Sequence, residues 1–231
     1  MTSIAANLQA VRARIAAACI AAGRPVESVH LLAVSKTWPA ASVREAFAAG
    51  QRAFGENYIQ EAAGKAAQLA GAELEWHFIG PLQSNKTRLV AENFAWVHSV
   101  DRLKIAERLA AQRPSGLAPL QVCIQVNVSG ETSKSGCTPD QGVGLAAAIG
   151  ALPGLRLRGL MAIPEPTGNV ARQRQQFALL RHTLERINAE LKFRLDTLSM
   201  GMSDDLEAAI MEGATIVRVG TAIFGQREYT T

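Results

Sequence analysis

Lys36 closes the short apolar run Val29-His30-Leu31-Leu32-Ala33-Val34-Ser35 and is followed by Thr37-Trp38-Pro39. The run has the length and composition of a buried strand, so the lysine stands where that strand meets its loop. Desolvation lowers the pKa of an ammonium in such a place. A part-neutral lysine is a nucleophile for aldehydes, as a Schiff-base site requires. For an isolated lysine, a solvated strand end is the plainer reading, so the choice rests on what the chain places beside it. Two later segments bear on that choice. Met200-Gly201-Met202-Ser203 precedes Asp204-Asp205-Leu206-Glu207, a helix-start pattern, and Val219-Gly220-Thr221 leads into another turn or short helix. Backbone N–H groups at helix starts, a hydroxyl and closely approachable glycines make a cradle for an anion. A plain N-cap at Ser203 and a tight exit turn at Gly220-Thr221 are the alternatives, and Asp204 and Asp205 must turn away from any dianion held there. Arg218 shares a face with Ile216 and Gly220 by strand alternation. If that face is interior, the guanidinium needs a partner, and Asp196, Glu56 and Glu165 are candidates for an ion pair.

These residues need elements to position them. Strand patterns fall at 29–35, 52–55, 75–79, 95–99, 120–128, 156–162, 194–199 and 215–219. Helical patterns lie between them at 40–49, 57–70, 85–92, 102–112, 139–151, 170–191 and 203–212, after an amphipathic helix over 3–22. Asp101 and Thr138-Pro139 are read as helix starts, Gly50 and Gly213 as helix stops. Eight Val-, Ile- and Leu-rich strands alternating with helices predict a single (β/α)8 barrel domain over 1–231, with an extra N-terminal helix. An open doubly wound sheet is the runner-up, but Ser35-Lys36-Thr37-Trp38 is not its Gly-rich phosphate turn. In a barrel the chemistry belongs at the carboxyl ends of the strands. Lys36, Glu56-Asn57, Gly80, Asn127, Met161, Met200 and Gly220 all map there.

Composition narrows the functions. A net charge of +4 spread along the chain, with aromatics at only 5%, leaves nucleic-acid binding a minority option. Three cysteines, Cys19, Cys123 and Cys137, cannot all pair and match no zinc spacing. Cys19 and Cys123 read as small hydrophobes, which suits a reducing compartment. No apolar stretch is expected to span a membrane, and Arg12 and Arg14 interrupt any signal-like N-terminus. A cytoplasmic protein is expected. The histidines read as structural or exposed, with His77 bonding locally near the barrel mouth. Gln83-Ser84-Asn85-Lys86-Thr87-Arg88 reads as a solvated loop.

Five ordered motifs carry a resemblance that runs nearly end to end. They are Leu32-Ala33-Val34-Ser35-Lys36, Phe54-Gly55-Glu56-Asn57-Tyr58, His77-Phe78-Ile79-Gly80-Pro81-Leu82-Gln83-Ser84-Asn85-Lys86, Ser199-Met200-Gly201-Met202-Ser203-Asp204-Asp205 and Arg218-Val219-Gly220-Thr221-Ala222-Ile223-Phe224-Gly225. The chain thereby resembles the pyridoxal phosphate homeostasis proteins, small carriers of pyridoxal 5′-phosphate (PLP) similar in fold to the barrel domain of alanine racemase. The resemblance implies that Lys36 holds PLP as a Schiff base and that Ser203, Gly220 and Thr221 bind the phosphate. It also implies that Arg218 faces the pyridine nitrogen and that Asn57 and Met200 line the ring. Asn127-Val128-Ser129 and Ser133-Lys134-Ser135-Gly136 match the family too, with Lys134 near the mouth.

The residues alone agree: an amine for an aldehyde, a cradle for a dianion, and a cation between. Sugar phosphates share an aldehyde and a phosphate, so a class I aldolase stays open on chemical grounds, with Glu56 as its acid/base candidate. A PLP enzyme such as an amino-acid racemase is the other alternative. Such an enzyme needs a second base, which alanine racemase brings as a tyrosine from a further domain. The tyrosines here are Tyr58 and Tyr229. A carrier is therefore expected: a monomer that holds PLP and gives it to apo-enzymes, with no metal.

Overall fold

Parallel strands covered on both faces carry near-continuous apolar runs, and each run listed above becomes a strand of one closed barrel. In the computed structural model, which describes residues 3–131 and 134–226, the order is helix α1 (Ile4–Ala21), β1 (His30–Val34), α2 (Ala40–Ala48), β2 (Ala53–Glu56), α3 (Ile59–Gln68), β3 (Glu75–Phe78), α4 (Thr87–Asn93), β4 (Trp96–Val100), α5 (Leu103–Gln112), β5 (Leu120–Gln125), α6 (Pro139–Gly150), β6 (Leu155–Met161), α7 (Val170–Leu191), β7 (Thr197–Ser199), α8 (Leu206–Met211), β8 (Ile216–Val219) and α9 (Thr221–Phe224). The strands pair in sequence order, all parallel, and β8 closes onto β1 with Leu32 opposite Arg218 and Ala33 opposite Val219. That register sets the ends of β1 and β8, and hence Lys36 and Gly220, side by side.

Alternation splits the strand residues between two cores. Phe54, Phe78, Val97, Val122, Leu160, Val217 and Val219 pack outward against the helices in the main cluster. Leu32, Trp96, Cys123, Met161 and Ile216 form a smaller cluster inside the barrel. The polar interior residues His77, His98, Ser199 and Arg218 are buried there too.

Several local expectations hold and some do not. Thr138 starts α6 with a full capping box through Gln141, and Gly50 and Gly213 follow their helices at positive φ, as helix-ending glycines do. Asp101 is not the cap of α5. Arg102 occupies that position without a side-chain bond, and the Asp101 carboxylate instead takes the Arg102 guanidinium at 2.7 Å. Helix α1 buries Leu8, Val11, Ile15, Ala18 and Cys19, but its outer face is alanine-rich rather than charged. It is therefore long and apolar enough to cross a membrane by length and composition alone, contrary to expectation. Its buried stripe packs on α8, α9 and α2, as a core helix does.

Candidate functional site

The site is built from four loops, at the carboxyl ends of β1, β2, β7 and β8. Lys36 is half-buried in the turn after β1, two residues past the strand. The turn is tightly specified. Thr37 adopts φ 70°, an uncommon conformation for a branched residue. Its N–H donates to Glu61 Oε1 at 2.5 Å. Below it, Lys65 Nζ donates to the Ser35 carbonyl at 2.6 Å, to Glu56 Oε1 at 2.7 Å and to Glu61 Oε1 at 2.6 Å, and the Ser35 hydroxyl donates to Glu56 Oε1 at 2.6 Å. Glu56 and Lys65 are both buried, between β2 and α3. Burial pushes the Glu56 carboxyl up, against the opposing pull of Lys65 and the Ser35 hydroxyl. Glu56 thus clamps the lysine turn from the outer face of the barrel. It pairs with Lys65 and not with Arg218, and the acid/base role considered for an aldolase has no support in this placement.

Asn57 follows β2, and its Oδ1 is buried without a hydrogen-bond partner. An orphaned buried acceptor is rare and marks a place where a ligand group fits. Gly80, two residues past the end of β3, runs against it. A Cβ there would lie 2.5 Å from the Asn57 carbonyl oxygen, so only glycine permits this approach.

Ser203 lies in a turn before α8 and is not its N-cap; that position is held by Asp205. The Asp205 carboxylate accepts the Met202 N–H at 2.6 Å, and so folds into its own loop. Gly220 caps α9 with Thr221 exposed beside it. A Cβ on Gly220 would come 3.2 Å from the Val34 carbonyl oxygen, so the lysine strand and the Gly220 loop run close together. Trp38 stacks on Phe224 at 5.9 Å and joins the same two loops. Met200 is fully buried in the outer core, with its N–H bonded to the Ile216 carbonyl. A side-chain role against a ring inside the barrel does not fit that position.

Arg218 points into the barrel as strand alternation requires. It makes no ion pair with Asp196, Glu56 or Glu165, which pair with Arg158, Lys65 and Arg172. Its NH1 donates to the Ser199 carbonyl at 2.6 Å and hydroxyl at 2.8 Å, and its NH2 to the Ala162 carbonyl at 2.9 Å. These use three of a guanidinium's five donors. Burial lowers its pKa to about 10, so it stays a cation at neutral pH.

The sequence reading missed the residues that brace these loops. Arg14 of α1 donates to the Ser203 carbonyl at 2.9 Å and pairs with Glu207 at 2.9 Å. Asn7 donates to the Ile223 carbonyl at 2.8 Å. In the loop after β5, Asn127 Oδ1 accepts from the Ser129 and Gly130 N–H groups while its amide donates to Glu131. The Lys134 ammonium lies 3.4 Å from the Glu131 carboxylate. Ser133 and Tyr229 fall outside the described residues. His30 and His182 are exposed and His98 is structural, as expected, and only His77 departs from its expected place. His77 and His98 are buried inside the barrel and bonded to each other, and His77 is not at the mouth. The 82–88 loop is only partly solvated, since Leu82 and Thr87 are buried.

An amine, an orphaned acceptor, a cation and two glycine-containing loops thus converge on one end of the barrel, and this set suits a small aldehyde carrying an anionic group. The chain matches the model of the alanine racemase N-terminal domain over residues 4–228. A Pseudomonas aeruginosa relative named pyridoxal phosphate homeostasis protein is 66% identical over 229 residues, 99% of this chain and 98% of the relative. An Escherichia coli K12 relative of the same name is 56% identical, covering 100% and 99%. PipY of Synechococcus elongatus, solved with PLP bound, is 39% identical with a TM-score of 0.85, over 96% of this chain and 100% of that one. An alanine racemase from Corynebacterium glutamicum, at 17% identity and a TM-score of 0.67, covers 96% of this chain and 62% of its own, a likeness of fold alone. With its barrel and these relatives in agreement, the chain belongs to the pyridoxal phosphate homeostasis protein family.

Proposed function

We propose that this protein binds PLP at the carboxyl end of the barrel, holds it as a Schiff base on Lys36 and releases it to apo-enzymes that require it. The observation that carries this reading is the convergence of Lys36, the unpartnered Oδ1 of Asn57, and the Arg218 guanidinium with donors to spare. PLP supplies an electrophilic aldehyde, a ring and a phosphate. Ser203, Gly220 and Thr221 are the residues for the phosphate, Arg218 for the ring nitrogen, and Asn57 for the ring edge. Arg218 donates and does not accept, so it leaves a ring nitrogen unprotonated. That weakens the electron sink on which carbanion chemistry at an amino acid depends. Tyr58, the tyrosine among the described residues, is 56% exposed. The exposure of Tyr58 favours a carrier over a racemase; the arginine alone does not, since alanine racemase works with a similar one. A monomer in a reducing cytoplasm completes the reading, in keeping with three buried free cysteines.

The test is direct. Purified protein loaded with PLP is reduced with borohydride and digested. The pyridoxyl group is expected on Lys36, and its appearance mainly on another lysine would refute the assignment. Loaded protein mixed with an apo-enzyme should restore that enzyme's activity faster than PLP dissociates into bulk solution. Transfer no faster than free release would leave a binding protein without a delivery role.

A further inference from the structure

Four hydrogen bonds run through the barrel interior from its amino end to Arg218. Glu75 Oε1 meets His77 Nε2 at 2.8 Å, His77 Nδ1 meets His98 Nε2 at 2.9 Å, and His98 Nδ1 meets Ser199 Oγ at 2.7 Å. Ser199 Oγ then meets Arg218 NH1 at 2.8 Å. His77, His98, Ser199 and Arg218 are all nearly or fully buried.

The chemistry at the two ends fixes the direction of every bond. A guanidinium only donates and an ionised carboxylate only accepts. Ser199 Oγ therefore accepts from Arg218 and spends its hydrogen on His98 Nδ1. His98 carries its proton on Nε2 and donates to His77 Nδ1. His77 likewise carries its proton on Nε2 and donates to Glu75. One neutral tautomer of each ring satisfies the whole series, and no other does so without leaving a buried proton unspent. Burial holds both imidazoles below their ordinary pKa, and the bond from His77 holds the Glu75 carboxyl below its own. Trp96 stacks on His77 at 5.3 Å with the rings 6° from parallel, which fixes the plane of that ring. Glu75 also lines a cavity of about 740 Å³ together with His30, Ala53, Trp96 and Ile216, the first residues of their strands, so the series ends near solvent at the amino end of the barrel.

A buried polar network whose members are all satisfied rigidifies a core and specifies one arrangement of it. What the polar series adds is an oriented acceptor beneath Arg218. We infer that Ser199, His98, His77 and Glu75 are positioning residues that set the orientation of the Arg218 guanidinium and thereby the affinity and electronic state of bound PLP. This rests on the reading that Arg218 meets the ring nitrogen. It assigns a role to two histidines far below the mouth of the site.

Two kinds of measurement separate the inference from that reading. In PLP-free protein labelled with ¹⁵N at histidine, NMR should show His77 and His98 neutral and protonated on Nε2 from pH 6 to 8. A proton on Nδ1 of His98, or a doubly protonated ring at pH 7, overturns the chain whether or not PLP binds. In PLP-loaded protein, Ser199→Ala and His98→Phe should each weaken PLP binding about fivefold or more, the effect of one lost hydrogen bond, and shift the visible absorption band. His98→Gln should keep both near wild type, because its amide can accept from Ser199 and donate to His77. If His98→Phe fails to fold, Ser199→Ala carries the comparison. Wild-type affinity and spectrum in Ser199→Ala, with only a lowered melting temperature, would reduce these residues to core filling and refute the inference. Borohydride mapping of the same samples reports separately whether Lys36 carries PLP.

Discussion

Replacing Lys65 by methionine should cost more stability than any surface change, and the loss should depend on pH in a direction the structure fixes. Lys65 donates to Glu56, Glu61 and the Ser35 carbonyl, with its side chain 5% exposed and that of Glu56 fully buried. Removing one partner of such a pair leaves the other charge uncompensated and costs about 3–5 kcal/mol. For a chain of this size that is a fall in melting temperature on the order of 6–20 °C. The Glu56 carboxyl already lies above its ordinary pKa because of burial, and Lys65 is the main influence pulling it back. Without Lys65 the folded-state pKa rises further. Between the unfolded and folded values the native state then holds more protons than the unfolded one, so stability falls as pH rises through that window. Urea unfolding of PLP-free Lys65→Met should accordingly show a small deficit near pH 4 and the full deficit at pH 7. Adding Glu56→Gln should recover part of the loss at pH 7 and little at pH 4. A deficit equal at both pH values, or none, would refute the account of Glu56 as an ion held by Lys65.

Further outcomes are expected at the other loops. Ser203→Ala should weaken PLP about tenfold or more, the effect of losing a hydrogen bond to a charged group, and pyridoxal without its phosphate should bind far more weakly to wild type; equal affinities measured by absorbance titration would exclude the anion loop. Arg14→Ala removes a half-exposed ion pair, so its effect on stability should stay within about 1 kcal/mol, while PLP release, followed by stopped flow, should accelerate through loss of the bond to the Ser203 carbonyl. Incubation with L- or D-alanine in heavy water should give no rapid α-deuteration, and deuteration that vanishes in Lys36→Ala would restore a racemase. Cys123, whose thiol burial lifts to about 12, should resist iodoacetamide at pH 8 until the protein unfolds.

The barrel was legible because period and punctuation agree. Apolar runs alternate with helical patterns, and α7 falls over 170–191 as its periodicity predicts. Arg218 was readable from alternation alone. Its partners were not, because a single strand's parity does not say which carbonyl of a neighbour lies opposite. The stagger of the barrel decides that, and it brings His98 of β4 to Ser199 of β7. Lys65 is not among the residues singled out from the sequence. A signal was present, since Ile59, Ala62, Lys65 and Leu69 fall on one helical face. A lysine in an apolar stripe is a buried cation in search of a carboxylate; Glu61 lies four residues before it and Glu56 ends the preceding strand. At Ser203 the run Ser-Asp-Asp offers several cap positions at once; Asp205 occupies the N-cap position, but its carboxylate bonds the Met202 N–H rather than the helix.

Each group that a bound PLP would meet is held by a different part of the molecule. The Lys36 turn is pinned from outside the barrel by Lys65 and two glutamates. The loops around Ser203 and Gly220 are tied to α1 through Arg14 and Asn7. Arg218 is oriented from below by Ser199 and two histidines. The first and third of these supports are buried and costly to break, whereas the tie from Arg14 is half-exposed and weak. A protein that must both retain and surrender its ligand needs that inequality. On the proposed assignment of Lys36, Arg218 and Ser203, the covalent and ring-nitrogen ends would fix where PLP sits, and the phosphate end, tied through the weak Arg14 contact, would be the first to loosen. Helix α1, which the barrel does not need for closure, is the element that braces both the Ser203 and the Gly220 loops.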